Sequence, residues 1–180
     1  MRAKNVTTRG RTVPGARATP APAKVAGDAR RLALSGSGSA HGCVDGAWWP
    51  KTADLRSELP DLVAVFSRWI GSIHRIVYDP VLWEAAPSRL IKHGSAISVD
   101  PYRMVNRETI GLMGTHSRSA VLFVVAPSTS GAIANKMFDL VERSNAPVAA
   151  TMLQQRYAEY ASAAMSSDSM PDGQAGPAPG

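Results

Sequence analysis

Apolar positions along the chain fall into two periods. From Leu55 they recur every third or fourth residue, at Leu55, Leu59, Leu62, Val63, Phe66 and Ile70, which is one face of an amphipathic helix. Pro60 interrupts the run, because a proline inside a helix removes a hydrogen bond and clashes with the preceding turn. The pattern therefore predicts a single turn over Ala53–Glu58, with Thr52 as N-cap and Asp54 in the first turn. A main helix then runs from Pro60 to Trp69, closed by Gly71. A second stripe, Ile133, Met137, Leu140 and Val141, predicts a helix opened by residues 127–130, Pro-Ser-Thr-Ser. After a break at Asn145 and Pro147, a third stripe of Leu153, Tyr157, Tyr160 and Ala164 predicts a helix from Pro147 to about Met165.

Between the helices the signals are short and extended. Arg31–Leu34 alternates, and Cys43-Val44 starts or ends a short strand. Ile73–Tyr78 is β-branched and aromatic and is stopped by Asp79-Pro80, and Val81-Leu82-Trp83 is a second extended piece. Arg89–Lys92 and Ser95–Val99 read as a hairpin around His93-Gly94, closed by Asp100-Pro101. Thr109–Met113 is a further strand, and Gly114–Ser117 a turn. Ala120–Ala126, AVLFVVA, is the most apolar run, expected in the centre of a sheet and buried on both faces. The order predicts an α+β fold, a mainly antiparallel sheet of about five or six short strands with two or three helices packed on one face. Neither a doubly wound βαβ rhythm nor an internal repeat is present. Residues 1–30 hold almost no large apolar side chains, residues 166–180 are mostly Ser, Asp, Pro, Gly and Ala, and both are expected to be disordered. A single domain is expected over 31–145, followed by the C-terminal helix at 146–165. Ser35–Ser39 reads as a flexible spacer or as a mobile loop after a first strand.

The stretch Gly42–Leu59 joins the bulkiest anchors to an element start. Asp45-Gly46 predicts a turn in which Gly takes positive φ. Trp48 and Trp49 then point to opposite sides if extended. One enters the core, and the other sits in a groove, covers an edge or meets a partner.

Charge divides the chain. Of 180 residues, the first 31 hold eight Lys/Arg against the single acid Asp28, a balance of +7, while the whole chain carries +6. The basicity therefore belongs to the N-terminal arm, and the remainder is nearly neutral. Spaced cations at Arg2, Lys4, Arg9, Arg11 and Arg17 suit phosphate contact without sequence readout, against the plainer reading of a solubilising arm. The start has no apolar h-region of a secretory signal, and Pro14, Pro20 and Pro22 oppose a transit-peptide helix. The longest apolar run is far shorter than the roughly 20 residues of a membrane span. Cys43 is the one cysteine, so no internal disulfide forms and a reducing, cytoplasmic setting is expected.

Candidate chemistry is sparse. His41-x-Cys43 has a metal-like spacing, but His74, His93 and His116 are scattered, and a plain buried cysteine is the preferred reading. There is no G-x-S-x-G, no G-x-G-x-x-G and no Walker A loop. No metal and no cofactor is predicted. Asp45, Asp54, Glu58 and Asp61 are read as acids serving a helix dipole. Trp48, Trp49, Trp69 and Trp83 either pack the core or form an aromatic wall, beside which Arg75, Lys92, Arg103 and Arg107 add positive charge.

One motif carries a resemblance. Gly42-Cys43-Val44-Asp45-Gly46-Ala47-Trp48-Trp49-Pro50-Lys51 is followed by Asp54-Leu55-Arg56-Ser57-Glu58-Leu59-Pro60. The chain here resembles an actinobacterial family known only as a domain of unknown function, and the similarity covers about residues 31–143. The resemblance implies a small cytoplasmic protein and brings no activity with it. The long basic N-terminal arm and the extended C-terminus depart from the family pattern. The chain is accordingly read as a non-enzymatic binding or regulatory module, with Asp45, Trp48, Trp49, Arg75 and Trp83 as its ligand or partner surface. The alternatives are an enzyme or small-ligand protein with a tryptophan-lined pocket, and a nucleic-acid-associated protein acting through Arg2, Lys4, Arg9, Arg11 and Arg17.

Overall fold

The computed structural model describes residues 30–37, 40–92, 94–103 and 106–168. The expectations for the basic arm, for His93 and for the tail beyond residue 168 lie outside the described residues.

The strand that runs through the middle of the apolar pattern organises the rest. In β8 (Ser119–Val124), Ala120, Leu122 and Val124 belong to one buried cluster, while Phe123 and the following Val125 belong to another. A strand buried on both sides needs a covering layer on each. The other strands are β1 (Leu32–Leu34), β2 (Cys43–Val44), β3 (Gly46–Trp48), β4 (Arg75–Tyr78), β5 (Arg89–Lys92), β6 (Ser95–Pro101), β7 (Thr109–Met113) and β9 (Val148–Ala149). The helices are α1 (Leu55–Ile70), α2 (Gly131–Arg143) and α3 (Ala150–Asp168). The main sheet has the order β1-β3-β8-β7-β4-β6-β5, and β2 pairs with β9 separately.

The fold is α+β, with two corrections to the expected sheet. Among the described residues it has seven strands, and it is mixed, because β3 pairs parallel with β8 and β4 parallel with β6. The parallel pairs arise because β5 enters as an edge hairpin beyond β6, and because β3 inserts between β1 and β8 instead of beside its chain neighbour. The helices are not on one face. Leu55, Leu59, Leu62, Val63, Phe66 and Ile70 of α1 pack with Trp48, Ile76, Ile97, Ile110 and Leu122. On the other face, Ala134, Met137, Phe138 and Val141 of α2 and Ala150 and Leu153 of α3 pack with Ala47, Trp49, Phe123 and Val125.

Helix α1 is continuous through Pro60, contrary to the expected break. An interior proline costs about 3 kcal/mol, whereas complete burial of Leu55 and Leu59 returns about 2 kcal/mol each. Pro60 itself is exposed, so water reaches the carbonyl it leaves unpaired, and its own C=O accepts from Lys92 Nζ at 2.9 Å. The N-cap is Asp54, whose carboxylate accepts from Arg56 N–H at 2.9 Å. Thr52, expected as the cap, instead donates from its backbone N–H and hydroxyl to Glu58 Oε1 at 2.9 and 3.0 Å, closing the loop before the helix. Gly71 ends the helix at φ 77°, as its position predicted.

Asp45-Gly46 is not a hairpin turn. Gly46 lies in β3, and a side chain there would run into the carbonyl of Ala33 and come within 3.1 Å of methyls of Leu122 and Leu34. Glycine is needed for close approach of β1, not for positive φ. Asp45 donates its N–H to the Val121 carbonyl at 2.7 Å, and its carboxylate accepts from Val121 N–H at 2.7 Å. Trp48 and Trp49 point to opposite faces and are 5% and 9% exposed. Both enter a core, because the sheet is covered on both sides.

Val81–Trp83 is not a strand. Pro80–Leu82 form one 3-10 turn capped by Asp79. The β5–β6 hairpin has the predicted register, with Lys92 opposite Ser95 and Gly94 at φ 78°.

Gly46→Ala is expected to destabilise the fold by about 1–3 kcal/mol, the usual cost of overpacking. Urea unfolding of the two proteins measures it, and an unchanged midpoint would show that β1 does not press on β3.

Candidate functional site

Strands β3, β8, β4 and β6 all run in one direction, set by the two parallel pairs and by the antiparallel β7 between β8 and β4. Their carboxyl ends therefore lie along one edge of the sheet. Loops emerging from parallel strand ends are where such sheets most often place ligands. At this edge β4 runs out into Asp79-Pro80-Val81, β6 into Tyr102-Arg103, and β7 enters through Arg107-Glu108.

A cavity of about 330 Å3 opens there, lined by Asp79, Pro80, Val81, Arg103 and Arg107. Asp79 is only 4% exposed, one of the few buried polar side chains, and its Oδ1 accepts from Val81 N–H at 3.1 Å. Glu108 sits behind it in the left-handed region at φ 59°, unusual for a residue with a long side chain. Its backbone carbonyl accepts from Val124 N–H at 2.7 Å, so the strained residue is pinned to β8. Burial first, and then the charge of Asp79, push the Glu108 carboxyl above its ordinary range, with Arg107 opposing. Helix α3 holds the loop from the far side, where Gln154 Nε2 donates to the Arg107 carbonyl at 2.7 Å. The Thr109 hydroxyl ties back to the Asn106 carbonyl at 2.8 Å. The cavity is thus lined by one buried acid and two exposed arginines. It can bind a molecule that carries both an anionic group and a hydrogen-bond donor.

A second cavity of about 370 Å3 lies between the later half of α1 and the β5–β6 hairpin. Val63, Ile73 and Ile97 floor it, and Arg68 and Lys92 stand at its sides.

The residues expected to form a ligand or partner surface are distributed differently. Trp48 and Trp83 come together, stacked at 5.6 Å and 29° against α1. Trp49 faces the opposite layer, and Asp45 is engaged with Val121. Arg75 opens β4 half-exposed, and its Nε donates to Asp100 Oδ2 at 2.8 Å. The Ser98 hydroxyl first, and Arg75 second, hold the Asp100 carboxyl below its ordinary range. Arg2, Lys4, Arg9, Arg11 and Arg17 lie outside the described residues. Cys43 is half-buried, and His116 takes a left-handed turn position at φ 58°. Among the described residues no three His, Cys, Asp or Glu side chains converge as a metal site would require. No helix among them is long and apolar enough to cross a membrane.

Asp79 and Glu108 were not foreseen as site residues. Asp79-Pro80 reads in sequence only as a strand stop, and Arg103 and Arg107 only as diffuse charge. The one local signal was an acid placed directly after an apolar strand, where burial obliges it to find a hydrogen-bond partner, here the Val81 N–H two residues on.

Fold and site together define a small α+β protein of three layers, one sheet between α1 and the α2–α3 pair, with a polar cavity at the strand ends. Residues 31–141 match the model of a family described as "Family of unknown function (DUF5994)", and the chain belongs to that family. Neither a curated protein nor a solved structure matches.

Because Glu108 holds its proton more tightly folded than unfolded, the folded state binds more protons in the window above the ordinary glutamate range. Stability should then fall as pH rises through that window, and Glu108→Gln should remove this component. Denaturant midpoints of both proteins across pH 4–8 measure it; parallel curves would place Glu108 in a solvated setting.

Proposed function

We propose that the protein is a non-enzymatic binding module that takes a small polar molecule at the strand-end cavity. One observation carries this reading: a buried acid, Asp79, and two exposed arginines, Arg103 and Arg107, line the same cavity of about 330 Å3. That volume falls at the lower end of the roughly 300–1,000 Å3 usual for small-molecule sites. The guanidinium groups suit a carboxylate or phosphate, which they bind with planar forks. Asp79 suits an amine or hydroxyl on the same molecule. A small amino acid or hydroxy acid satisfies both ends. The free thiol of Cys43 supports a reducing, cytoplasmic setting.

Calorimetric titration with a panel of amino acids, hydroxy acids and phosphate monoesters tests the reading. At least one is expected to bind, and Arg107→Gln to weaken it about ten- to a hundredfold, as loss of a charge-assisted hydrogen bond does. No binding across the panel, or equal binding by the variant, would overturn it.

A second reading rests on charge. The +7 balance of residues 1–31 supports contact with nucleic-acid phosphates through the arm. Fluorescence anisotropy with a short single-stranded oligonucleotide should show affinity falling steeply with salt. Replacing Arg2, Lys4, Arg9, Arg11 and Arg17 by Gln in the full chain should flatten that dependence; an unchanged slope would remove the arm from the interaction.

A further inference from the structure

The cavity between α1 and the β5–β6 hairpin owes its space to small side chains. Val63 and Ile70 are buried on the inner face of α1, and Ser67 lies between them, one turn from each. A leucine or methionine at that position would continue the apolar stripe. Ser67 is instead only half-buried, and its hydroxyl donates to the Val63 carbonyl at 2.6 Å. Ala64 lines the same wall, and Ser95, which opens β6, and Ser72, just beyond the end of α1, line the space from the other sides. The result is a volume of about 370 Å3 bordered largely by hydroxyls and short side chains.

The charge around this space has one sign. Val63, Ile73 and Ile97, all buried, close its inner end. Arg68 and Lys92 line it as well, and no acid is among the described residues that do so. The Lys92 Nζ donates to the Pro60 carbonyl at 2.9 Å, which ties the ammonium to α1 and leaves its other N–H groups available. Arg68 is exposed, and among the described residues it has neither an ion pair nor a hydrogen bond, so its planar fork is open to a ligand. The aliphatic stems of both side chains carry apolar surface up to their charged heads. The Asp79 cavity differs in place and in chemistry. It holds an acid and lies at the carboxyl ends of β4 and β6, whereas this one lies at their amino ends, where Ile73 precedes β4 and Ser95 opens β6.

We propose that this cavity binds a small carboxylic acid with an apolar body, aliphatic or aromatic, and without an amino group. The carboxylate suits the Arg68 fork, with Lys92 adding charge and the serine hydroxyls offering further donors. The apolar body suits the end closed by Val63, Ile73 and Ile97 and favours such an acid over a bare phosphate or sulfate. Two cations without an acid disfavour a ligand that carries an ammonium group. The space falls within the roughly 300–1,000 Å3 usual for small-molecule sites. This site does not rest on the reading of the Asp79 cavity.

Backbone amide signals read the site directly. The full chain, labelled with nitrogen-15, is titrated with octanoate and with phenylpropionate, and with inorganic phosphate and octylamine as controls at equal ionic strength. The amides of Ala64, Ser67, Ser72 and Ser95 are expected to move and saturate with at least one of the two acids, while those of Val81 and Arg107 stay in place and the controls move none of them. Saturation by octanoate alone identifies an aliphatic acid, by phenylpropionate alone an aromatic one, and by both a site that accepts either. Arg68→Gln should weaken the response about tenfold, the loss of one charge-assisted contact. Ser67→Leu fills the space and should abolish the response without lowering the urea midpoint. Should Ser67→Leu fail to fold, the exposed Arg68→Gln decides alone. Neither acid saturating, phosphate moving the same amides as far, or either folded variant binding as tightly as the parent overturns the proposal. Shifts confined to Val81 and Arg107 overturn it too, and leave the Asp79 cavity standing.

Discussion

Everything in the main sheet depends on how closely β1 approaches β3. Gly46 leaves no room for a side chain beneath the Ala33 carbonyl. With that contact made, β3 fits between an antiparallel and a parallel neighbour. Asp45 then fastens the entry by accepting from one Val121 amide and donating to the same residue's carbonyl. Two charge-assisted or short bonds of this kind contribute about 1–3 kcal/mol each. They fix the register of a strand only three residues long. Register matters here because a slip of one residue would exchange the two faces. Trp48 would then leave α1 and Trp49 would leave α2.

The same strand sets both layers. Trp48 meets Trp83 and the α1 stripe, and Trp49 meets α2 and the Arg31 side chain. The stretch from Asp45 to Trp49 is therefore spent on architecture. What it leaves for chemistry lies at the ends of the strands, where β3, β8, β4 and β6 deliver their loops to one edge. The β7 entry is held there by Gln154 of α3, which donates to the Arg107 carbonyl, and by the Val124 N–H, which donates to the Glu108 carbonyl.

Elements with a strong local period were legible. The α1 face, the β5–β6 hairpin, β7 and the apolar β8 all follow from spacing within a few residues. Local signal failed where a distant partner decided the outcome. The stripe on α1 carried the helix through Pro60, because burial of Leu55 and Leu59 exceeds the cost of one proline. Asp45-Gly46 looks like a turn in isolation, yet Ala33 and Val121, far along the chain, make it a strand contact. The second helical layer follows from β8 being apolar on both sides, which requires α2 and α3 to cover the face that α1 leaves open. The strand-end cavity draws Asp79, Arg103 and Arg107 from separate loops, and no window of the chain contains them together.

Native-state hydrogen exchange at three amides tests the central role of β3 most directly. Trp49 donates to Arg31, Val125 to Trp48, and Val121 to the Asp45 carboxylate. If β3 keys both layers, all three amides exchange only through global unfolding, with the same free energy as the α1 amides, and Asp45→Ala lowers that energy for all of them together. If β3 is a peripheral addition, they exchange through local opening while α1 stays protected, and Asp45→Ala affects them alone.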